Sequence, residues 1–243
     1  MRVLSAIYAH PDDETFSGGG TYAKYAAAGV RCTLYCGTDG DAGKTSGLAI
    51  TSREELGRVR RAELAAAAAI LGFVTVESGG HADGALGAVD QQVLIGEIVG
   101  HLRRERPHVV VSFGPEGAPN THPDHRVVSR ATTAAFFLAA NASAFAEQLR
   151  DGVVPHQAAR LYYVTWPVPG HTSVLKTIGV PATARIDVRA YRERELIAWR
   201  AHVSQQALQQ RFDETAATDE ELFGLAAGAA QPAPTIDDLF AGL

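Results

Sequence analysis

The sequence predicts an α/β fold in which a doubly wound, mainly parallel sheet carries helices on both faces. Strand-like and helix-like runs alternate four times over residues 3–140, as in parallel sheets joined by crossover helices. The first strand-like run is apolar almost throughout, as expected for a strand that is covered on both faces. Helix-ending or turn-forming residues separate successive runs. This arrangement is Rossmann-like.

The first unit along the chain is strand, helix, strand. Residues 3–8 are rich in β-formers and predict a buried strand. Residues 18–28 predict a helix, which Gly29 would end as a C-cap. Residues 30–36 predict the second strand, and the polar, Gly-rich stretch at 39–50 predicts a loop.

A long helix follows this loop. Thr51 or Ser52 can cap it, and Glu54 and Glu55 in the first turn complement the helix dipole. Apolar residues then recur at helical spacing until Gly72, which we expect to end the helix.

Two more strands complete the regular alternation. Residues 73–77 predict the third strand, and residues 89–105 predict a helix that Pro107 stops. Residues 108–113 predict the fourth strand and residues 122–140 the helix after it.

The C-terminal third is less regular. Strands are predicted at 160–166 and 184–188, and a helix at 191–210. The Ala/Gly/Pro-rich stretch at 216–234 has no clear periodicity and predicts a loosely packed segment, with a short helix at 236–243.

Composition restricts the class of protein. The 243 residues are 46% hydrophobic, enough for a sizeable core, and nothing marks a domain boundary, so residues 1–243 are predicted as a single domain. The net charge is −5, which leaves no basic surplus for nucleic acid. With no apolar run that could span a membrane, no recognisable signal peptide and two cysteines only, we expect a cytoplasmic protein without membrane partners.

Two clusters of acids and imidazoles carry the chemistry. His-Pro-Asp-Asp-Glu at 10–14 directly follows the first strand, and His-Pro-Asp-His at 122–125 follows the fourth. Crowded carboxylates repel one another, and a divalent cation relieves that repulsion. Imidazole and carboxylate together suit zinc. The alternative for the first cluster is an acidic helix start that merely complements the helix dipole.

Topology provides a separate argument for a shared site. In a doubly wound sheet of order 3-2-1-4, ligands bind in the crevice beyond the carboxyl ends of strands 1 and 4. Both clusters lie just past these two ends, so we expect them to face each other and to form one metal site.

The motif Ala-His-Pro-Asp-Asp-Glu at 9–14, followed by His-Pro-Asp-His at 122–125, resembles the PIG-L/LmbE-like family of zinc-dependent N-deacetylases. The resemblance extends to Arg60-x-x-Glu63 and to Ala-His-x-Ser-Gln at 201–205. The family acts on N-acetylglucosaminyl groups and includes the deacetylases of mycothiol and bacillithiol synthesis.

The resemblance implies a role for each residue of the two clusters. It implies three zinc ligands, namely His10, Asp13 and His125. Asp12 would be the general base, and a protonated His122 would stabilise the oxyanion and help the amine to leave. Asp124 would tune His122. Three protein ligands leave zinc an open position for water, whose pKa then falls to about 7.

The implied activity is zinc-dependent removal of the N-acetyl group from a small-molecule N-acetylglucosaminyl conjugate, such as the malate or inositol conjugate of thiol synthesis. Arg60 would contact the substrate and would favour an anionic group such as malate, although Arg-x-x-Glu is commonly a surface pair. His202 is interpreted either as a site residue or as a helix-packing residue. The sequence is also compatible with a homo-oligomer.

Two other functions are compatible with parts of the sequence. Gly18–Gly20 with Asp39 about 20 residues on imitate the fingerprint of a nicotinamide-dependent oxidoreductase. In that fingerprint the first glycine follows the strand at once, whereas residues 10–14 intervene here. The other alternative is a zinc- or sugar-binding protein without catalysis. Asp12 and His122 speak against it, because neither is needed to hold the metal.

Overall fold

A computed structural model of the chain describes residues 1–167 and 177–243. The strands are β1 (Val3–Tyr8), β2 (Arg31–Thr38), β3 (Phe73–His81), β4 (Val109–Ser112), β5 (Arg160–Pro167), β6 (Thr177–Ile178), β7 (Ala184–Asp187) and β8 (Glu220–Gly228). The α-helices are α1 (Asp13–Phe16), α2 (Gly19–Ala27), α3 (Arg53–Leu71), α4 (Gln91–Glu105), α5 (Pro123–Leu138), α6 (Arg192–Ala201) and α7 (Gln209–Thr215).

The strands form one sheet in the order β3-β2-β1-β4-β5-β8-β7, and β6 pairs with β5 off that path. Neighbours from β3 to β5 are parallel, whereas β8 is antiparallel to both β5 and β7. Helices α2, α3 and α6 pack together in one layer, and α4 packs with α5 in another. The predicted fold class and the strand order 3-2-1-4 are confirmed. Within the described residues, none of the helices is long and apolar enough to cross a membrane.

Strand β1 lies at the centre of the sheet, between β2 and β4. All six of its residues are buried, because helices cover both faces of a doubly wound sheet. Its polar side chain, Ser5, bonds to the Thr33 hydroxyl at 2.6 Å and is thereby satisfied. The edge strand β3 instead alternates between more and less exposed residues.

Helix α3 has the ends that its sequence predicts. The Ser52 hydroxyl accepts the backbone N–H of Glu55 at 3.1 Å, as an N-cap does. Gly72 ends the helix with φ 92°, and its N–H donates to the Ala68 carbonyl at 3.0 Å. A Cβ at Gly72 would also lie 2.5 Å from the Cβ of Ala26. Only glycine fits this turn without strain.

The predicted helix at 191–210 is broken. Helix α6 ends at Ala201, a 3₁₀ segment covers Val203–Leu208, and α7 follows. Long-range hydrogen bonds replace the helical ones at the break: the Ser204 N–H donates to Glu63 Oε1 at 2.7 Å, and the Gln205 amide donates to the Lys44 carbonyl at 2.9 Å. Tertiary contacts override local periodicity here.

The prediction of loose packing over 216–234 is wrong for its central part. Strand β8 lies between β5 and β7, and Phe223 is fully buried there. A Cβ at Gly224 would come within 2.7 Å of the Pro181 carbonyl oxygen. The small residues therefore admit a close chain crossing, which is one use of glycine in strands. Residues 236–243 form turns rather than the predicted helix, and Ile236 bridges to Ala184.

Candidate metal and active site

The two clusters face each other at the carboxyl ends of β1 and β4, as the topology argument predicted. Residues 10–14 follow β1, and residues 122–125 form the start of α5. His10 of the first cluster bonds through Nε2 to Asp124 Oδ2 of the second at 3.3 Å. Residues more than a hundred positions apart thus form one buried site.

Donor atoms of three residues meet at the centre of the site. His10 Nδ1 lies 3.4 Å from Asp13 Oδ2, and His125 Nε2 lies 3.3 Å from both Asp13 Oδ1 and His10 Nδ1. A tetrahedral zinc with bonds of about 2.0–2.1 Å separates its ligands by about 3.3–3.4 Å. The distances, of which the two to Asp13 reach different oxygens of its carboxylate, therefore fit three residues arranged around one metal ion.

The second ring nitrogen of His10, Nε2, faces two carboxylates. It lies 3.1 Å from Asp83 Oδ1 and 3.3 Å from Asp124 Oδ2. These acceptors favour the proton on Nε2, so the lone pair of Nδ1 points at the donor cluster. Carboxylates commonly orient a ligand histidine in this way. Asp124 is itself held by the N–H groups of Gly84 and Leu86 at 2.7 and 3.1 Å.

Two other groups of side chains could also hold a metal ion. One consists of His10, His122 and His125, and the other of His10, Asp83 and Asp124; in each group the donor atoms lie within 4.8 Å of one another. Distance does not rank these groups against the group that contains Asp13, since His10 Nε2 lies 3.1 Å from Asp83 and 3.3 Å from Asp124. The group of His10, Asp13 and His125 differs in using Nδ1 of His10, the ring nitrogen that does not face those two carboxylates.

The electrostatics of this centre favour a bound cation. Burial raises the pKa of Asp13, but positive charge on His125 and His10 outweighs it and leaves the pKa well below its usual range. Burial lowers the pKa of His10, but hydrogen bonds to Asp124, Asp13 and Asp83 outweigh it and raise the pKa. The carboxylates thus attract positive charge, which either a proton or a metal cation can supply.

Asp12 lies beside the donor cluster and outside it. Its backbone is left-handed, with φ 108°, and its N–H donates to Glu14 Oε2 at 3.0 Å. Its carboxylate accepts a hydrogen bond from Arg60 Nη2 at 2.9 Å. Burial raises the pKa of Asp12 to about 6, although the Arg60 charge opposes the rise. A carboxylate with such a pKa suits proton transfer near neutral pH.

Arg60 is only 2% exposed, so the interpretation as a surface pair with Glu63 is wrong. Besides Asp12, its guanidinium donates to the carbonyls of Pro11 and Gly40. Glu63 instead accepts hydrogen bonds from Ser204. Arg60 is therefore a buried residue of the site, and its positive charge balances the negative charge of the Asp12 carboxylate.

His122 is half-buried, and its ring centroid lies 4.6 Å from that of His10. Its Nδ1 accepts the backbone N–H of Asp124 at 3.2 Å. Burial lowers the pKa of His122, and positive charge on His10 and His125 acts in the same direction. The Asp124 carboxylate bonds to His10 rather than to the His122 ring, because His10 and the backbone N–H groups of Gly84 and Leu86 occupy its oxygens. Its influence on His122 acts through space.

A cavity of about 70 Å³ opens beside the donor atoms, with Asp13, His125, Phe113, Asn120, Leu208 and Arg211 among its lining residues. The Phe113 ring stacks on His125 with centroids 3.8 Å apart. A larger groove of about 590 Å³ lies between β3 and α4, and its lining includes no member of either cluster. The smaller cavity is therefore the one that adjoins the residues able to do the chemistry.

The glycine run at 18–20 serves packing. The N–H groups of Gly20 and Thr21 donate to the two oxygens of Glu221 at 3.0 and 2.9 Å. A Cβ at Gly20 would lie 2.6 Å from Val188 Cβ. The N–H groups that a pyrophosphate would use are thus bonded to a carboxylate of the same chain. Asp39 pairs with Arg61 and Ser78. These contacts remove the basis of the oxidoreductase alternative.

Sequence reasoning missed two contributors to the site. Asp83 lies just past the carboxyl end of β3, beside the ends of β1 and β4, and that position is the signal that could have identified it. Glu14 was not assigned a partner. It accepts a hydrogen bond from His202 Nε2 at 2.6 Å, and both side chains are buried. Burial lowers the pKa of His202, but Glu14 outweighs it and raises the pKa.

The sequence matches the PIG-L family, described as GlcNAc-PI de-N-acetylase, over residues 5–136. A relative from Acidothermus cellulolyticus, named 1D-myo-inositol 2-acetamido-2-deoxy-alpha-D-glucopyranoside deacetylase, is 33% identical over 287 residues, covering 100% of this chain and 96% of the relative.

Two solved structures share the fold. The N,N′-diacetylchitobiose deacetylase of Pyrococcus horikoshii superimposes with a TM-score of 0.74 at 22% identity, covering 93% of this chain and 84% of the other. A 4-carboxy-2-hydroxymuconate hydratase of Pseudomonas putida gives 0.76 at 17% identity, covering 96% and 99%. Because a hydratase shares the fold, the fold alone does not decide the reaction. The sequence match and the two clusters do decide the family: the chain belongs to the PIG-L family of deacetylases.

Proposed function

We propose that this protein is a zinc-dependent hydrolase that removes the N-acetyl group from an N-acetylglucosaminyl conjugate of inositol. One observation carries the proposal. The donor nitrogens of His10 and His125 lie 3.3 Å apart, each lies within 3.4 Å of one Asp13 carboxylate oxygen, and the neighbouring Asp12 carboxylate is bonded instead to Arg60. Metal ligands and an adjacent, separate base are the requirements of metal-assisted amide hydrolysis.

The inositol conjugate is favoured over the malate conjugate on two grounds. The relative from Acidothermus cellulolyticus is named for the inositol conjugate and matches along the whole chain. A preference for malate would need Arg60 as a free cation at the site. In the structure Arg60 is buried, and its guanidinium is paired with Asp12. Direct contact between Arg60 and the substrate stays a prediction, without a preference for an anion.

His10, Asp13 and His125 would hold the metal through Nδ1, a carboxylate oxygen and Nε2. The chemistry that such a metal supplies is Lewis acidity, which acidifies water and polarises an amide carbonyl. Asp12 accepts the proton that water loses as it attacks the acetyl carbon, and returns it to the amine nitrogen as the C–N bond breaks, so that acetate and the free amine are the products. Arg60 keeps that carboxylate in place and lowers its pKa against the effect of burial.

His122 stabilises the negative charge that develops on the acetyl oxygen. Because its Nδ1 accepts the N–H of Asp124, neutral His122 carries its proton on Nε2, which is left free to donate to the substrate. Its lowered pKa also favours the neutral form at neutral pH. This role differs from the protonated His122 that the family resemblance implies, and the two forms predict different pH profiles.

The substrate is tested by a deacetylation screen. We expect zinc-loaded protein to release amine from N-acetylglucosaminyl-inositol faster than from N-acetylglucosaminyl-malate or N,N′-diacetylchitobiose. Amine release is measured with a fluorogenic reagent, and chelator-treated protein serves as the control. Hydrolysis of the malate conjugate at the highest kcat/KM would contradict the assignment of inositol, and hydrolysis of none of the three would contradict the proposed function.

His122→Ala should keep its zinc and lose rate by on the order of 10²-fold, the usual contribution of one oxyanion donor. The loss should persist above pH 7, because neutral His122 still donates through Nε2 there. His122→Gln, whose amide can place a donor near the position of Nε2, should recover part of the rate. His81→Ala is the control, since His81 pairs with Glu97 outside both clusters. A loss of rate in His122→Ala that is confined to low pH would instead indicate that protonated His122 acts in catalysis.

A further inference from the structure

Two motifs that the metal chemistry leaves unexplained meet behind Asp12. Arg60 and Glu63 lie on consecutive turns of α3, and His202 and Ser204 lie at the break between α6 and the 3₁₀ segment. All four side chains are buried. Arg60 bonds to Asp12 directly, and His202 is connected to it through Glu14. Glu63 and Ser204 bond to each other and so join the two motifs.

The first connection reaches the backbone of Asp12. Its left-handed conformation, with φ 108° and ψ −25°, is rare for a residue with a side chain and is maintained by its surroundings. The Asp12 N–H donates to Glu14 Oε2 at 3.0 Å, and Glu14 Oε1 accepts from His202 Nε2 at 2.6 Å. The Glu14 carboxylate thus bridges the strained peptide and the His202 ring, both out of contact with bulk water.

The second connection anchors His202. The backbone N–H and the hydroxyl of Ser204 donate to the two oxygens of Glu63 at 2.7 and 2.6 Å. Glu63 lies one turn after Arg60 on α3, and Arg60 binds the Asp12 carboxylate at 2.9 Å. One helix therefore holds the Asp12 side chain directly and, through Ser204, His202 and Glu14, the Asp12 backbone.

We propose that His202 and Glu14 are positioning residues that hold Asp12 in its strained conformation, so that its carboxylate is aimed at the reacting water. The inference rests on the proposed function for its catalytic consequence. His202 Nδ1 has no hydrogen-bond partner in the part of the chain that the structure describes, so the Nε2 bond to Glu14 is the contact that matters. A buried imidazole–carboxylate pair is a costly means of simple packing, because apolar residues can fill the same volume without desolvating charge.

A matched pair of amide variants tests this inference. His202→Gln can place a donor near the position of Nε2 and keep the bond to Glu14. The shorter His202→Asn places its amide near Nδ1, where residues 1–167 and 177–243 offer no partner. We expect His202→Asn to lose kcat about 10–100-fold, with zinc content and KM near those of the parent. His202→Gln should recover most of kcat.

A second measurement does not depend on activity. Amide hydrogen exchange, read by mass spectrometry on the peptide that contains Asp12, should be faster in His202→Asn than in the parent and close to parental in His202→Gln. If His202→Asn does not fold, Glu14→Asp replaces it, because the shorter carboxylate keeps the charge but cannot span Asp12 and His202. It should show the same loss of kcat and the same faster exchange.

The outcomes separate the two proposals. Parental kcat and parental exchange in His202→Asn, or in Glu14→Asp, would overturn the inference while leaving the deacetylase intact. Equal losses in His202→Asn and His202→Gln would also overturn it, since the donor to Glu14 would then be irrelevant. A parent protein that is inactive on all three conjugates would contradict the proposed function, and the exchange data would still decide whether His202 holds Asp12.

Discussion

Asp12→Asn is expected to lower the deacetylation rate by about 10²–10⁴-fold while leaving the zinc content unchanged. The amide has nearly the same shape as the carboxylate but accepts no proton. Asp12 does not belong to the proposed ligand set of His10, Asp13 and His125, so we expect its replacement to leave the metal site intact. Zinc content and rate, measured on the same sample, test both halves of the prediction.

The pH profile gives the same prediction a second readout. Burial raises the pKa of Asp12 to about 6. The ionised carboxylate, which accepts the proton, therefore predominates above that pH, and its fraction falls as the pH falls through it. A bound cation moves this limb lower, so the acidic limb of kcat/KM should lie at or below about pH 6. In Asp12→Asn this limb should disappear.

The control for Asp12 is Asp39→Asn. Asp39 pairs with Arg61 and Ser78 away from the donor atoms, so its variant should keep both zinc and rate. Near-parental turnover of Asp12→Asn with full zinc would remove Asp12 from the mechanism. Zinc binding without turnover of any conjugate, in the parent itself, would instead favour a non-catalytic binding protein.

Asp13→Asn and His125→Ala are expected to lose both metal and activity. Each removes one of the three proposed ligands, and the two protein ligands that remain hold zinc poorly. After dialysis with zinc, the parent should hold about one ion per chain and each variant close to none. Zinc added back after chelation should restore activity to the parent only.

Asp124→Asn provides an intermediate case for the metal site. It keeps all three donors but weakens the acceptor of His10 Nε2, which should lower metal affinity about 10–100-fold. The group of three histidines makes the opposite prediction for His122. If His122→Ala lost the metal and Asp13→Asn kept it, then His10, His122 and His125 would be the ligands instead.

Many of the strands and helices of this protein, and the place of its site, can be predicted from local sequence. The buried run of β1 and the two ends of α3, at Ser52 and Gly72, follow from side-chain polarity and from the conformations that these residues favour. The meeting of residues 10–14 with residues 122–125 follows as well, because parallel strands align their carboxyl ends. These features depend on neighbours in sequence or on a general rule of topology.

Other features depend on contacts that no local pattern encodes. The helix predicted at 191–210 breaks at His202, because Glu14 and Glu63 provide hydrogen bonds from distant parts of the chain. The Ala/Gly-rich stretch becomes strand β8, because the sheet has a place for it between β5 and β7.

Sequence alone determined that this protein has a doubly wound sheet with two acid–imidazole clusters at the carboxyl ends of its strands, because polarity and turn chemistry act over a few residues. Only the tertiary structure decided how the side chains of these clusters are paired. Arg60 became the partner of Asp12, and Asp124 the partner of His10, because burial leaves each charged group only those partners that the fold brings within hydrogen-bond distance.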